Sequence, residues 1–472
     1  MQIKKTISYL LLFLIPFFSP TSYFEKIFGT AGSDYSRSVK QLQDGSIYVF
    51  GNTDSGKFGG SDLSLTKLDR DGNQLWTNYY GSANSENGFY LNTTADKNFV
   101  FIGEQVTATS TDIIIYKVDT SGNVIWNKMY ATALNETATY IEQTDDGGYI
   151  LSGAQNDSLG YYDLFVLKLN AMGDYQWHKT FGPAQHEFAK MIHQVKDGYI
   201  LTGDVRDSLN NFNSIVYKLD KQGNEVWAKK YGGTLVSGPQ GIIPTSDGNY
   251  LLYGETEVTP GSRFNGVLEK IDTSGNSIWR STFGGDGADA VFSVAEDPDG
   301  GFVCTGYSNS YNGNKPIDLL LLKTDASGQL SWKQTYGGNG IDMGLEVIRN
   351  KENKGYIITG YTFSSTDDYY LLQVNEKGMI THTSSFQKNN PVFEIYPNPA
   401  SEKVKVNYEW GDNKINGSLL LTDIRGRMLK RILLPSKKGC IEMDITNLVP
   451  GTYFCLILLD QQTISCKQLL VK

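Results

Sequence analysis

Cysteine and histidine are scarce in this 472-residue chain, with four of each. Four Cys in so long a chain, none in a CxxC pair, exclude a disulfide scaffold and a cysteine-rich zinc site. His186 and His193 stand at no metal-ligand spacing with another His or Cys. His178 follows Trp177 at a position of solvated strand residues. HExxH, GxSxG, P-loop and EF-hand patterns are all missing. An excess of basic charge is missing too. The 42 Lys and Arg against 51 Asp and Glu leave a net charge of −9, which argues against a general nucleic-acid binder. Long apolar runs are absent except at 7–18, behind Lys4 and Lys5. That run is too short for a comfortable membrane span and is broken by Pro16, with Pro20 beyond it. It reads as a secretory signal peptide over 1–22, leaving no transmembrane segment in the mature chain. No Cys follows it, so a lipoprotein anchor is not indicated. No stretch carries a capped amphipathic helical period.

What the chain has is glycine (50 residues), aromatics (12%) and a repeat. Trp recurs at 76, 126, 177, 227, 279 and 332, at spacings of 50, 51, 50, 52 and 53. A fixed period of this size marks a repeat architecture. An aromatic four residues after each Trp opens a Gly-rich turn, as in Tyr80-Gly81 and Phe283-Gly284. Each unit then has an apolar run ending in Gly, at 51, 103, 153, 203, 254, 306 and 360. A second run starts with Asp or Asn and carries Lys five residues on, as in Asp62/Lys67 and Asp318/Lys323; the seventh copy, Asp368/Gln373, has lost the Lys. Short runs rich in β-branched and aromatic residues between Gly, Asn and Asp turns predict strands. Four strands per unit, seven times, predict a seven-bladed β-propeller over 23–386. Phe24 stands in the Trp position of an isolated first strand, which is expected to complete the last blade. The units resemble the W-x-K-x-(Y/F)-G-G propeller repeats of secreted bacterial proteins, and their Asp-x-x-Gly-x-x-x-Trp ends are similar to the docking motif of quinoprotein propellers. The resemblance implies the fold and is almost silent on chemistry.

The period stops near Phe386, and a polar segment at 387–392 reads as a linker. Residues 391–472 hold 11 basic and 8 acidic side chains, a shift from the acidic remainder. Six alternating runs from Val404 to Val471 predict a small Ig-like β-sandwich over 393–472. Cys455 and Cys466 fall near one hairpin, where a bridge is one of several connectivities. Tyr396-Pro397-Asn398-Pro399-Ala400, then Leu421-Thr422-Asp423-Ile424-Arg425-Gly426-Arg427, then Leu448-Val449-Pro450-Gly451-Thr452-Tyr453 and the basic end at 467–472 occur in that order. Together they resemble the type A C-terminal sorting domain of the type IX secretion system of Bacteroidota. The resemblance implies the type IX machinery as partner, export across the outer membrane, and a secreted or cell-surface location. Its motif residues here are Pro397, Asn398, Pro399, Gly451, Tyr453 and Lys472. Pro397 and Pro399 are expected to fix the chain entering the first strand, and Gly451 to permit a tight turn.

Two constellations carry candidate chemistry. Six residues after the turn aromatic stand Asp34, Glu86, Glu136, Glu187, Ser237, Asp289 and Asp342. A ring of such carboxylates at one mouth of a channel would bind a cation, Ca2+ included, or a basic group of a partner. Alternatively, each accepts backbone N–H groups of its own turn or the next blade's. The loops between second and third strands (52–61, 104–111, 154–162, 204–212, 255–264, 307–317 and 361–367) vary in length and hold Phe58, Tyr161, Tyr162, Phe212, Tyr307 and Tyr311. Variable loops on a rigid scaffold are places for recognition. Asp69-Arg70-Asp71-Gly72-Asn73 and Asp297-Pro298-Asp299-Gly300 faintly resemble calcium loops, but their sister units read as plain turns. With no nucleophile, metal cluster or cofactor fingerprint, the function expected is a non-catalytic binding or adhesion scaffold for an extracellular glycan or protein. The alternatives are a propeller enzyme acting on extracellular glycans, a structural spacer, and a quinoprotein-like oxidoreductase, disfavoured by the lack of an adjacent Cys pair and the count of seven.

Overall fold

The computed structural model describes residues 23–380 and 392–472, apart from 158–159, 183–186, 207–211, 233–234, 260, 312–315, 339, 353–354, 364–366, 410–416, 424–426, 437 and 460–461. The signal-peptide reading (1–22), the linker short of its last residue, His186 and His382 fall outside the described residues. The chain divides into two compact units, Met1–Thr383 and Ser384–Lys472. Every regular element described in either is a strand.

The first unit holds seven four-stranded antiparallel sheets. Six are built in chain order from an inner strand outwards. The seventh takes its outer strand, Phe24–Phe28, from the other end of the sequence, with Phe24 opposite Gln373. The inner strands are Asp34–Gln41, Ser85–Thr93, Glu136–Gln143, Glu187–Val195, Ser237–Pro244, Asp289–Glu296 and Ile341–Arg349. Each touches the inner strand of the sheet on either side, and the last touches the first. The fold is a closed seven-bladed β-propeller.

The repeated residues explain why blades form and why they need neighbours. Each Trp lies on an outer strand opposite the repeated Lys, as in Lys168↔Trp177 and Lys323↔Trp332. In five of the six blades that carry it, the Lys ammonium meets an Asp of the turn between the first two strands. Lys168–Asp146 is 2.9 Å, Lys218–Asp197 2.7 Å and Lys270–Asp247 2.7 Å. The indole then covers the turn glycine of the next blade. A Cβ on Gly223 would lie 2.6 Å from Trp177, and one on Gly328 2.5 Å from Trp279. These glycines also hold φ of 77° and 78°, where a side chain is strained. Phe24 does the same to Gly72, 2.5 Å away, so the seventh blade grips the first as every other blade grips its neighbour. Where Trp gives way to Phe24, Lys gives way to Gln373: the missing Lys goes with the missing indole.

The glycine that ends each second strand answers to a different demand. Each inner strand carries a β-bulge, with register shifts at 36/38, 88/90, 138/140, 189/191, 239/241, 291/293 and 344/346. The glycine lies opposite the residue just before the bulge, where the inner strand's carbonyl presses inward. A Cβ on Gly51 would meet the Tyr35 carbonyl at 1.9 Å, and one on Gly360 the Met343 carbonyl at 1.7 Å. Only glycine admits that approach. Cys304 is fully buried on a second strand and behaves as a small apolar residue.

The second unit pairs Val392–Tyr396, Lys403–Glu409 and Lys438–Asp444 in one sheet, and Met428–Leu434, Gly417–Asp423, Gly451–Leu459 and Gln462–Val471 in another. One core joins them, with Phe393, Val404 and Val406 against Leu419, Ile457 and Leu469. This is the arrangement of a small β-sandwich. Two expectations are corrected. Val392–Tyr396 is an additional first strand, so Pro397 and Pro399 lie after the first strand and lead into the second. Five residues are too few for their alternation to stand out in sequence. Gly451 begins a strand opposite Val471 with open space around its Cβ and no positive φ, so no tight turn demands it. The register sets Leu456 opposite Cys466 and Cys455 opposite Lys467, which leaves the two cysteines one residue out of step. The sorting motifs converge. Asn398 accepts the Leu470 N–H at 2.9 Å, Ala400 bridges Val471, the Lys472 N–H donates to Ala400 at 2.9 Å, and Tyr453 donates to the Val449 carbonyl at 2.8 Å.

Candidate functional site

The acidic positions stand at the start of the inner strands, on the face where the variable loops emerge. Their carboxylates are buried: Asp34 and Asp342 are 2% exposed, and Glu86, Glu136, Glu187 and Asp289 are 0%. Most take donors from the turn four residues earlier. Asp34 accepts from the Thr30 hydroxyl at 2.9 Å. Glu86 accepts from the Ser82 N–H (3.2 Å), the Ser82 hydroxyl (2.6 Å) and Gln105 (2.9 Å). Glu136 accepts from Gln155 at 2.8 Å, and Asp289 and Asp342 from the N–H groups of Gly285 and Gly338. Ser237 supplies a hydroxyl to the Ser214 N–H instead. The five carboxylates at 34, 86, 136, 289 and 342 thus lock the turn that links one blade to the next. Several face a second carboxylate. Oxygens of Asp62 and Glu86 come within 2.4 and 2.6 Å of the point a Cβ on Gly81 would occupy.

Glu187 is the exception. Neither of its oxygens has a hydrogen-bond partner among the described residues. The residue four earlier is Pro183, which has no N–H to give. Burial, with the charge of Asp163 added, pushes its carboxyl up to about 7.

The loop aromatics divide. Phe58 and Tyr161 are 50% and 41% exposed. Tyr162 stacks on Phe188 at 5.1 Å, and Phe212 lies under the Arg206 guanidinium at 4.5 Å. Tyr307 sets its edge against Phe292 at 5.4 Å, and Tyr311 hydrogen-bonds the Gly284 carbonyl at 3.1 Å. These four serve packing as much as display. The calcium-like segments are occupied turns. Asp69 accepts the N–H groups of Asp71 and Asn73, and Asp297 meets Lys323, Arg349 and Tyr356.

The central channel is a cavity of about 850 Å³. The seven bulges build it. A bulge swings one extra residue out of the ladder, and those residues are Arg37, Phe89, Thr139, Lys190, Gln240, Phe292 and Leu345. All seven line the channel, half-exposed, while the residue before each is buried. Every one lies three residues beyond an acidic-ring position. The acidic ring is legible in the sequence because its residues are alike; the channel ring differs in residue type from blade to blade. Deeper in stand Tyr90, Tyr140, Met191, Tyr253 and Glu346. Glu346 gathers Lys40 (2.6 Å), the Tyr90 hydroxyl (2.8 Å) and the Ser38 hydroxyl (2.8 Å). His193 Nδ1 lies 2.7 Å from Glu142, and its Nε2 has no partner.

Residues 394–472 match the family described as the secretion system C-terminal sorting domain. The chain carries a type IX secretion sorting domain. The sorting domain marks the protein for export, to be secreted or held at the cell surface. No helix among the described residues is long and apolar enough to cross a membrane. No curated protein matches the chain. Among solved structures the chain is similar to a puromycin hydrolase (TM-score 0.49, 11% identity, 80% of this chain and 59% of that one). It is also similar to polysaccharide lyase Uly1 (0.44, 10%, 78% and 94%) and to the Pyrococcus horikoshii acylaminoacyl peptidase (0.41, 11%, 81% and 59%). The chain thus spans 59% of the hydrolase and of the peptidase.

Proposed function

We propose that this exported propeller is a non-catalytic binding module whose ligand enters the central channel, with Phe58 and Tyr161 on the loops at the mouth as outer contacts. The seven-residue bulge ring carries the reading. One backbone device repeated in every blade presents a chemically different side chain each time, to a cavity in the size range of ligand pockets. Structural positions of this repeat are uniform; this one is not. The test is a glycan and matrix-protein array probed with the full chain and with Phe89→Ala/Phe292→Ala. Hits that vanish in the double variant support the channel, whereas hits that persist overturn it.

A catalytic reading has one specific observation behind it. Glu142 lies 2.7 Å from Nδ1 of His193, a residue that lines the channel. Such a dyad can take up a proton from a bound substrate. Turnover of an array hit that disappears in His193→Ala would favour this reading over pure binding.

A further inference from the structure

We propose that the channel ligand is an anionic saccharide, bearing carboxylate or sulfate, and that Arg37 receives its charge. The proposal rests on the channel reading and names what enters it.

A guanidinium drawn out of water demands a counter-charge. Lys40, Lys190 and Arg349 on the same channel have one: Lys40 meets Glu346 at 2.6 Å, Lys190 meets Asp204 at 3.3 Å, and Arg349 meets Asp297, while Lys351 is exposed to water. Arg37 has none. Its Nε is buried without a hydrogen-bond partner, and its ionisable neighbours are the phenols of Tyr361 and Tyr35 rather than a carboxylate. Burial accordingly pulls its pKa down. The position does not require this residue, because the same bulge carries Thr139 in the third blade and Leu345 in the seventh. An uncompensated charge placed where an apolar residue serves elsewhere points to a counter-ion that arrives from outside.

The neighbouring blade narrows the chemistry. Phe89 stands beside Arg37 in the ring. An aromatic face suits the C–H face of a sugar, while a planar guanidinium takes carboxylate or sulfate oxygens two at a time. Gln240 and Lys190, from the far side of the ring, add donors that hydroxyl groups can meet.

The experiment is calorimetric titration of the full chain with trigalacturonate, a sulfated galactose trimer and neutral galactotriose. At least one acidic trimer should bind about tenfold or more tighter than the neutral one, and lose about tenfold or more in Arg37→Gln. Which acidic trimer binds decides between carboxylate and sulfate. Arg37→Gln should keep at least the parent's melting temperature, since the half-exposed Arg37 makes no hydrogen bond among the described residues; this confirms that lost binding is not lost folding. Equal binding of neutral and acidic trimers, or an Arg37→Gln chain that binds undiminished, overturns the charge assignment. If Phe89→Ala still abolishes that binding, the channel reading survives alone. Absence of binding by both acidic trimers also overturns the proposal, whatever the array shows for other ligands.

Discussion

Glu187 and Glu86 occupy the same repeat position, yet neutralising them should shift stability in opposite directions. Glu86 has three donors on its carboxylate. Glu187 has none, and its carboxyl stands at about 7 rather than the 4.5 of a free glutamate. Ionising Glu187 in the fold would cost about 3 kcal/mol on that difference alone. Asp163 beside it is half-exposed, so solvent screens the pair and lowers the figure to about 1–2 kcal/mol. The direction with pH follows from proton counting. Between pH 4.5 and about 7 the folded chain keeps a proton that the unfolded chain has released, so stability falls as pH rises through that window. Glu187→Gln should therefore gain about 1–2 kcal/mol at pH 8 and little at pH 4.5. Glu86→Gln should lose about 2 kcal/mol at pH 8, because charge-assisted hydrogen bonds become ordinary or unmade ones. Urea midpoints followed by Trp fluorescence at the two pH values measure both. A Glu187→Gln chain less stable than the parent at pH 8, or one whose gain does not change with pH, would refute the reasoning.

Two further perturbations test the ring itself. Phe24→Ala empties the seventh blade's grip on Gly72 and should cost about 3 kcal/mol by urea denaturation, as a buried Phe in a core would; a loss under about 1 kcal/mol would mean closure does not depend on it. Gly360→Ala puts a Cβ 1.7 Å from the Met343 carbonyl and should cost more than about 3 kcal/mol, whereas Gly248→Ala, at φ 83° with nothing within 4 Å, should cost only the roughly 1 kcal/mol of left-handed strain. Similar melting temperatures for the two variants would show that the bulge carbonyl yields.

The sequence exposes the ring because its constraints repeat. Trp must cover a glycine turn and Lys stands opposite Trp in the ladder, so both recur in every complete unit, and the paired losses at Phe24 and Gln373 mark the seam. The acidic positions were legible for the same reason, and their direction was not. Spacing places a residue at a strand's start but does not say whether its side chain faces the channel or the turn. The channel ring escaped because a bulge leaves no residue signature of its own. It is visible only through the glycine opposite, and its seven residues share no chemistry that a motif could hold. In the second unit the sorting motifs were readable as motifs, while the short strand ahead of them was not.

That division separates what the fold asks of each residue from what a ligand asks. Where all blades agree, as at Trp, at Lys and at the glycine facing the bulge, the neighbouring blade supplies the reason and no ligand is needed. Where they disagree, the backbone tolerates Leu345 as readily as Phe89 or Lys190, so stability does not choose among them. A residue that is also costly at such a tolerant position needs a cause outside the fold. Arg37 is that residue, since its bulge position accepts an apolar side chain elsewhere and its charge has no partner among the described residues. The same test leaves Glu187 without a ligand. Its sequence carries Pro183, which has no N–H, at a position where other blades offer a donor, and so its cost has a cause in the repeat itself. Arg37 and Glu187 thus carry different meanings, and the difference lies in what the other blades place at the same position.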